Sequence, residues 1–197
     1  MAKLISNIVF TKNRPLQLEA YLRSFFRYFP KEQVEIYVIY KIELFEKEYD
    51  DVFSKYPWCH VIKEKDFHSD LLNIISNVKT KYILFGIDDV VYFDSVDLNL
   101  IDLTFEAKGA EIFGFTFRFS AEFLKSSGET IAEETVNGQK VYKLNWKTGK
   151  TAHANYPFEL CATVYKTELV KKILSNTMNN NTAARKLFSP GSAIIKL

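Results

Sequence analysis

Cysteine, glycine and proline are scarce in this chain of 197 residues, which has 2 Cys, 7 Gly and 5 Pro. The two cysteines, Cys59 and Cys161, lie far apart, and neither belongs to a Cys-x-x-Cys pair. Neither a zinc site nor a disulfide framework is therefore predicted. The chain also lacks internal repeats and low-complexity blocks. These absences favour a reduced globular protein over a small disulfide-rich or repetitive one.

A strong charge of one sign and a long apolar run are absent as well. The 26 basic and 24 acidic residues leave a net charge of +2, which gives no argument for a nucleic acid partner. No window approaches the roughly 18 to 20 apolar residues that span a bilayer, and the first residues lack a signal-peptide apolar stretch. The prediction is a soluble cytoplasmic protein without a transmembrane segment. Peripheral attachment at the inner membrane face is left open.

Apolar and aromatic residues, in contrast, are abundant. They make up 47% of the chain by the hydrophobic count, and there are 17 Phe and 11 Tyr. This composition supports a sizeable core and excludes a disordered chain. Strand-like and helix-like segments alternate, which predicts an α/β fold with a mainly parallel sheet flanked by helices. We expect a single domain over residues 1–197, with halves at residues 1–95 and 96–197.

The expected elements follow from local patterns. In the first half, strands are predicted at residues 4–10, 34–40, 59–62 and 81–87, with helices at residues 15–29, 43–56 and 69–78. Ser69 is the predicted N-cap of the third helix. In the second half we expect a helix at 97–108, an aromatic strand at 111–119, a hairpin at 135–146, a strand at 160–165 and a helix at 168–174. Asn137-Gly138 is the turn signal of that hairpin.

Two adjacent carboxylates, Asp88 and Asp89, come directly after the most apolar predicted strand, in Tyr82-Ile-Leu-Phe-Gly-Ile-Asp88-Asp89. Carboxylates in this position are costly unless they are solvated, paired or metal-bound. The carboxyl ends of strands line the ligand crevice of open α/β sheets, and oxygen ligands there suit a hard cation such as Mg²⁺ or Mn²⁺. The alternative is that Asp88 caps the following turn while Asp89 is solvated.

A polar turn follows the first strand and contains Thr11, Asn13 and Arg14 before Pro15. Parallel strands would place this turn at the same edge of the sheet as Asp88. Arg14, close to the helix start, is suited to holding a phosphate or pairing with a carboxylate, and the free amides of the first helical turn would add donors. An ordinary βα loop is the alternative interpretation.

Together, Thr11-Lys-Asn13-Arg14-Pro15 and Tyr82-Ile-Leu-Phe-Gly-Ile-Asp88-Asp89 resemble two motifs of GT-A fold glycosyltransferases of the family 2 type. The second is similar to the DXD-like motif of that family. The resemblance covers roughly residues 4–120, and the chain is shorter than usual for this fold, as in a compact or truncated member. It implies a metal-dependent transfer, inverting the anomeric carbon, of a sugar from a nucleotide-diphosphate sugar to a glycan or lipid-linked hydroxyl. The usual setting of such enzymes is bacterial surface polysaccharide assembly.

The resemblance also implies roles for individual residues. Residues 1–95 would form the nucleotide-binding half and residues 96–197 the acceptor-side half. Asp89 would bind Mg²⁺ or Mn²⁺ directly. Asp88 would contact the donor or lie in the second layer around the metal. The nucleotide pocket would be lined by Thr11, Asn13 and Arg14.

Two positions depart from the family pattern. The second strand ends in Tyr40-Lys41, where such enzymes usually carry an acidic residue that reads the base. Asp70-Leu-Leu-Asn73 stands where an Arg-Asn pair is usual. No base-reading or phosphate-binding role is therefore transferred to these positions.

An inverting transfer needs a carboxylate or a histidine that deprotonates the acceptor hydroxyl. Glu159 is the predicted base, because it lies near a strand start beside aromatic residues suited to a sugar ring. His153 is the second candidate, and an ordinary charged turn residue is the alternative interpretation of Glu159. Arg118, within the aromatic strand, is expected to face a ligand.

Other functions stay open on the sequence. A non-catalytic nucleotide- or carbohydrate-binding relative, or an assembly subunit, fits the two departures from the pattern. A nucleotidyltransferase on a similar sheet is less favoured, because no glycine-rich phosphate loop follows the first strand. A homo-oligomer is a further open prediction.

Overall fold

The computed structural model of the protein describes residues 2–156 and 158–179. Its strands form a six-stranded sheet and a separate two-stranded hairpin. The strands are β1 Ile5–Lys12, β2 Val34–Lys41, β3 His60–Lys63, β4 Tyr82–Ile87, β5 Phe115–Thr116, β6 Ile131–Val136, β7 Gln139–Leu144 and β8 Thr163–Lys166. The helices are α1 Pro15–Tyr28, α2 Glu46–Lys55, α3 Phe67–Asn77, α4 Leu98–Lys108, α5 Ala121–Ser126 and α6 Thr167–Asn179.

The main sheet has the strand order β3-β2-β1-β4-β8-β5. The first four of these strands are parallel, whereas β8 runs antiparallel to both of its neighbours. β6 and β7 pair as the hairpin that Asn137-Gly138 predicted. The predicted α/β fold, with a mainly parallel sheet and a hairpin in the second half, is confirmed. The register places Phe10 opposite Ile87, so the carboxyl ends of β1 and β4 lie side by side.

Local signals account well for α1. Pro15 occupies the first turn, where a missing amide hydrogen costs nothing. Apolar residues at helical spacing form a buried stripe: Leu18, Leu22 and Phe25 are all fully inaccessible to solvent. The helix ends at Tyr28, just before Pro30.

Helices cover both faces of the sheet. One buried cluster joins α1, α2 and α4 to one face, and a second cluster joins α3 and α6 to the other. β1 is inaccessible to solvent over most of its length, as expected for a central parallel strand. Among the described residues, no helix combines the length and the apolar character that crossing a bilayer requires.

The predicted aromatic strand at residues 111–119 is wrong in length. Only Phe115 and Thr116 form β5, and a 3₁₀ turn covers Gly109–Glu111. The partner strand β8 has 4 residues and starts at Thr163, later than predicted. It therefore offers few backbone groups for pairing, and the aromatic segment leaves the sheet on either side of the short ladder.

Two helix starts also differ from the sequence prediction. The N-cap of α3 is Asp66 rather than Ser69, and its carboxylate accepts a hydrogen bond of 2.9 Å from the Ser69 amide. Aspartate and serine are equally good caps, so the segment contains two valid start signals. α5 was not predicted, because its 6 residues are too few to show a helical period. Ser120 caps it by accepting a hydrogen bond from the Phe123 amide.

Candidate active site

The turn after β1 is held by the side chain of Asn13. Its backbone has a φ of 54°, a left-handed conformation that asparagine tolerates better than most residues. The side-chain oxygen accepts hydrogen bonds from the amides of Glu43 (2.9 Å) and Leu44 (3.2 Å). Asn13 thus joins the loops that follow β1 and β2, and a contact with a nucleotide stays a prediction.

Thr11 and Arg14 are both positioned by Tyr49, a fully buried residue of α2. The Tyr49 hydroxyl lies 2.8 Å from the Thr11 hydroxyl and accepts a hydrogen bond of 2.9 Å from the Arg14 amide. One tyrosine therefore sets the shape of the turn between β1 and α1. The sequence analysis missed this residue, since a tyrosine within a helix carries no signal for a partner 35 positions away.

Arg14 brings the two predicted motifs together. Its guanidinium lies 3.3 Å from an Asp88 carboxylate oxygen and 3.9 Å from one of Asp89. The side chain of Asp88 is only 7% exposed, whereas that of Asp89 is 56% exposed. Burial raises the pKa of Asp88 above the usual carboxyl value, and the neighbouring Thr11 and Arg14 oppose this rise. The structure thus pairs Asp88 with the guanidinium of Arg14 and leaves the Asp89 carboxylate open to solvent.

The loop after these carboxylates is fixed to α1. The Tyr92 amide donates a hydrogen bond of 3.1 Å to the Ser24 hydroxyl, and the Val96 amide donates one of 2.9 Å to the Tyr28 carbonyl. The Tyr92 ring is buried against Phe25 and Phe29. Asp88 and Asp89 are therefore held from both sides, by β4 before them and by this loop after them.

Asp88 and Asp89 suit a hard divalent cation by the chemistry of their donor atoms. Mg²⁺ in proteins usually takes one or two carboxylates and completes its coordination with water and substrate phosphates. Within residues 2–156 and 158–179, no three His, Cys, Asp or Glu side chains converge as a metal cluster. A cation here would therefore depend on oxygens from a bound substrate.

Glu159 lies in the loop before β8 and is 8% exposed. It forms an ion pair with Arg118 and accepts a hydrogen bond of 2.7 Å from the Thr163 hydroxyl. The second candidate base joins the same group, since the His153 Nδ1 lies 3.1 Å from the Arg118 guanidinium. Glu159 is therefore not a solvated turn residue. The expected ligand-facing residue, Arg118, pairs with both candidates.

The Glu159 loop packs against the strand that carries the aspartates. The Ala162 amide donates a hydrogen bond of 2.9 Å to the Phe85 carbonyl, and its own carbonyl accepts one of 2.9 Å from the Phe117 amide. Ala162 has a φ of 50°, which is strained for a residue with a Cβ and is often found at functional sites. Burial raises the pKa of the adjacent Cys161 thiol, which both Arg118 and Asp89 influence electrostatically. The two groups of polar residues are thus close neighbours.

A sequence relative is known for this chain. The bifunctional glycosyltransferase pgtA of Dictyostelium discoideum is 26% identical over 190 residues, which cover 85% of this chain and 24% of that protein. The chain thus spans about a quarter of the length of the curated relative that it matches. No family model matches the chain.

Two solved structures are similar to this chain, and the first shares its fold. The mannosyltransferase PcManGT from Pyrobaculum calidifontis, in complex with GDP-Man and Mn²⁺, has a TM-score of 0.53 at 9% identity, over 88% of this chain and 47% of its own. TarS 1-349 of S. aureus, in complex with UDP, has a TM-score of 0.49 at 17% identity, over 94% of this chain and 53% of its own.

These likenesses agree with the motifs at residues 11–15 and 82–89. The sequence match is to a glycosyltransferase over most of this chain, and the fold is shared with a mannosyltransferase. The resemblance to GT-A fold glycosyltransferases is confirmed.

Proposed function

We propose that this chain transfers a sugar from a nucleotide-diphosphate sugar to a hydroxyl acceptor with the help of Mg²⁺ or Mn²⁺. The observation that carries the proposal is the meeting of Arg14, Asp88 and Asp89 at the adjoining ends of β1 and β4. Carboxylates that can hold a divalent cation, and a guanidinium that can bind a phosphate, are what a sugar diphosphate requires at one place. The GDP-Man and Mn²⁺ of the mannosyltransferase neighbour support the same chemistry. A cytoplasmic location belongs to the proposal, with peripheral attachment at the inner membrane face left open.

Each residue at this edge has a distinct role in the proposal. Asp89 is the direct metal ligand, because its carboxylate is open to solvent. Asp88 stays behind it, held by Arg14, and orients the donor. Arg14 has five N–H donors, and its bond to Asp88 leaves others for a phosphate. Thr11 and Asn13 shape the nucleotide pocket.

Glu159 is the proposed base. Its carboxylate takes the proton of the acceptor hydroxyl as the acceptor oxygen bonds to the anomeric carbon. The bond between that carbon and the diphosphate oxygen breaks, and the nucleoside diphosphate leaves. A cation held by Asp88 and Asp89 would supply positive charge that stabilises the leaving diphosphate. Displacement from the opposite face inverts the anomeric carbon.

Arg118 and Thr163 would assist this step. The ion pair with Arg118 holds the Glu159 carboxylate in place, and the hydrogen bond from Thr163 fixes its direction. Each carboxylate oxygen has two lone pairs, so capacity remains for an acceptor hydroxyl.

A non-catalytic nucleotide-binding relative is the second candidate, and the end of β2 favours it. The Tyr40 ring packs against Tyr49 and Phe53, with centroid distances of 5.4 Å and 4.8 Å, which disfavours stacking on a base. Lys41 forms an ion pair of 3.0 Å with Glu64. Neither side chain is acidic, so Tyr40 and Lys41 themselves do not supply the base-reading acid of the family.

Thermal shift with nucleotides tests the donor site. We expect one of UDP, GDP, CMP and dTDP to raise the melting temperature of the protein in the presence of Mn²⁺, since a ligand of the native state stabilises it by mass action. The shift should vanish in Asp89→Asn and persist in Asp51→Asn, which changes an exposed aspartate of α2. A nucleotide shift that is equal in both variants would contradict the assigned site.

Turnover separates the two candidate functions. The enzyme should release nucleoside diphosphate from the matching sugar donor, and Glu159→Gln should lose most of this release at saturating acceptor while it keeps the nucleotide shift. Binding without any release, across donors and acceptors, would favour the non-catalytic relative.

A further inference from the structure

A cavity of about 350 Å³ lies between the edge of the main sheet and the β6–β7 hairpin. Its walls are mostly aromatic and aliphatic, with side chains from the β5 segment, α5, β7 and the turn after it. The members that matter here are Phe113, Phe119, Leu124, Tyr142, Leu144 and Trp146. A volume of this size with mostly apolar walls is typical of small-molecule sites.

One end of this hairpin cavity is defined by a group of polar residues around Glu159. Glu159, Thr163, Thr116 and His153 line it together. The Thr163 hydroxyl lies 2.7 Å from a Glu159 carboxylate oxygen and 2.9 Å from the Thr116 hydroxyl. This end is therefore a hydrogen-bonding group around a buried carboxylate.

The charged residues at the hairpin side are paired with one another. Glu111 forms an ion pair of 2.7 Å with Lys143, and Glu134 forms one of 2.8 Å with Lys108. The Thr104 hydroxyl donates to the Leu100 carbonyl at 2.7 Å. Each of these groups already has a partner, so a polar ligand on this side of the cavity would compete with an existing ion pair or hydrogen bond.

We infer that the hairpin cavity binds an acceptor with an apolar ring or short chain at one end and its reacting hydroxyl at the other. The inference rests on the proposed function and names the class of acceptor. An aromatic or alkyl group would displace water from the Trp146 and Phe119 walls, a gain that grows with the apolar area buried. A fully polar sugar chain in the same space would leave hydroxyls without partners, at a cost of about 1–3 kcal/mol each. The reacting hydroxyl of the acceptor lies against the Glu159 carboxylate.

Matched pairs of glycosides test this inference without turnover. Phenyl and methyl β-glycosides of glucose, galactose and mannose have the same hydroxyls within each pair and differ in the apolar group. Their binding is measured by the fluorescence of Trp146 in a Trp58→Phe background, which leaves a single tryptophan. We expect at least one phenyl glycoside to bind about tenfold more tightly than its methyl partner. Equal binding within every pair, or no binding of any phenyl glycoside, would overturn the inference.

Two variants place the ligand in the cavity. Val141→Phe fills the space from β7 and should weaken phenyl glycoside binding about tenfold, while Val61→Phe, on an exposed valine of β3, should leave it unchanged. Leu144→Ala enlarges the cavity and should shift the preference from phenyl to naphthyl glycosides. An unchanged preference in both cavity variants would contradict binding at this place.

The nucleotide experiment distinguishes the possible failures. A retained Mn²⁺-dependent nucleotide shift with no preference for phenyl glycosides would overturn the acceptor class alone. If no nucleotide raised the melting temperature of the unmodified protein, the proposed function itself would be overturned.

Discussion

Two buried tyrosines lie side by side beneath the loop that carries the aspartates, Tyr21 and Tyr92, with ring centroids 5.8 Å apart. The Tyr21 hydroxyl accepts a hydrogen bond of 2.8 Å from the Asn7 side chain, which is itself fully buried. The Tyr92 hydroxyl is buried and makes no hydrogen bond within the part of the chain that the structure describes. A Cβ at Gly86 would collide with the Tyr21 side chain, which explains why the residue two positions before Asp88 is a glycine.

The two tyrosine hydroxyls should therefore differ in their effect on stability. Tyr21→Phe leaves the Asn7 amide unsatisfied and should lower the free energy of unfolding by about 1–2 kcal/mol. Tyr92→Phe removes a group without a partner and should change it by less than about 0.5 kcal/mol, or raise it. Urea unfolding of both variants measures the difference. Equal losses would show that Tyr92 has a partner in solution.

Local sequence patterns predicted the parts of this site that depend on strand ends, but not the contacts between residues far apart in the chain. Parallel strands were enough to place the Arg14 turn beside Asp88, because the ends of adjacent strands share one edge. The contacts of Tyr49 with Thr11 and of Arg118 with Glu159 gave no sequence signal, since no periodic pattern connects residues so far apart. The length of β5 depended on β8, a strand from the other end of the second half.

At the level of elements, Asp102 joins α4 to the start of β4. Its carboxylate accepts hydrogen bonds from the Lys81 ammonium at 2.5 Å and from the Tyr82 hydroxyl at 2.6 Å. Burial opposes ionisation of Asp102, but these two donors outweigh it and hold its pKa below the usual aspartate value. The carboxylate form therefore stabilises the packing of the helix against the strand.

Asp102→Asn should lower the free energy of unfolding by about 1 kcal/mol at pH 7, allowing for a partly exposed ion pair. A carboxyl group with a depressed pKa stabilises the fold above its unfolded pKa of about 4, and the stabilisation is lost as the pH falls through the folded pKa. The gap between Asp102→Asn and the unmodified protein should thus narrow below about pH 4.

Urea unfolding at pH 7, 5, 4 and 3 checks this dependence, with Asp51→Asn as a control that should be neutral throughout. A gap that is constant with pH would mean that shape rather than charge accounts for the effect.

At the scale of the whole molecule, the second half completes the sheet of the first. β8 lies between β4 and β5, so a strand from the second half supplies one of the two neighbours of β4. The carbonyl of Phe85 in β4 also accepts the Ala162 amide. The edge that carries Asp88 and the loop that carries Glu159 therefore both depend on β4.

We expect the chain to unfold in a single transition, and a fragment of residues 1–120 to show no cooperative transition. The fragment would leave one edge of β4 unpaired, with apolar residues around it. Replacing residues 131–144 by a short Gly-Ser linker removes no strand of the main sheet and should retain the transition. Far-UV and near-UV circular dichroism during urea unfolding provide the measurement. A cooperative transition in the fragment would show that the halves fold independently.

The place of β8 in the sheet also determines when, during synthesis, the second edge of β4 can be paired. β4 pairs with β1 as soon as it leaves the ribosome, but Tyr82 lies opposite Lys166, about 80 residues later in the chain. At roughly 5–20 residues per second, the growing chain spends about 4–16 seconds with that edge open. An open apolar edge is a template for pairing with other chains. We therefore expect the yield of native protein to depend on translation speed and chaperone supply.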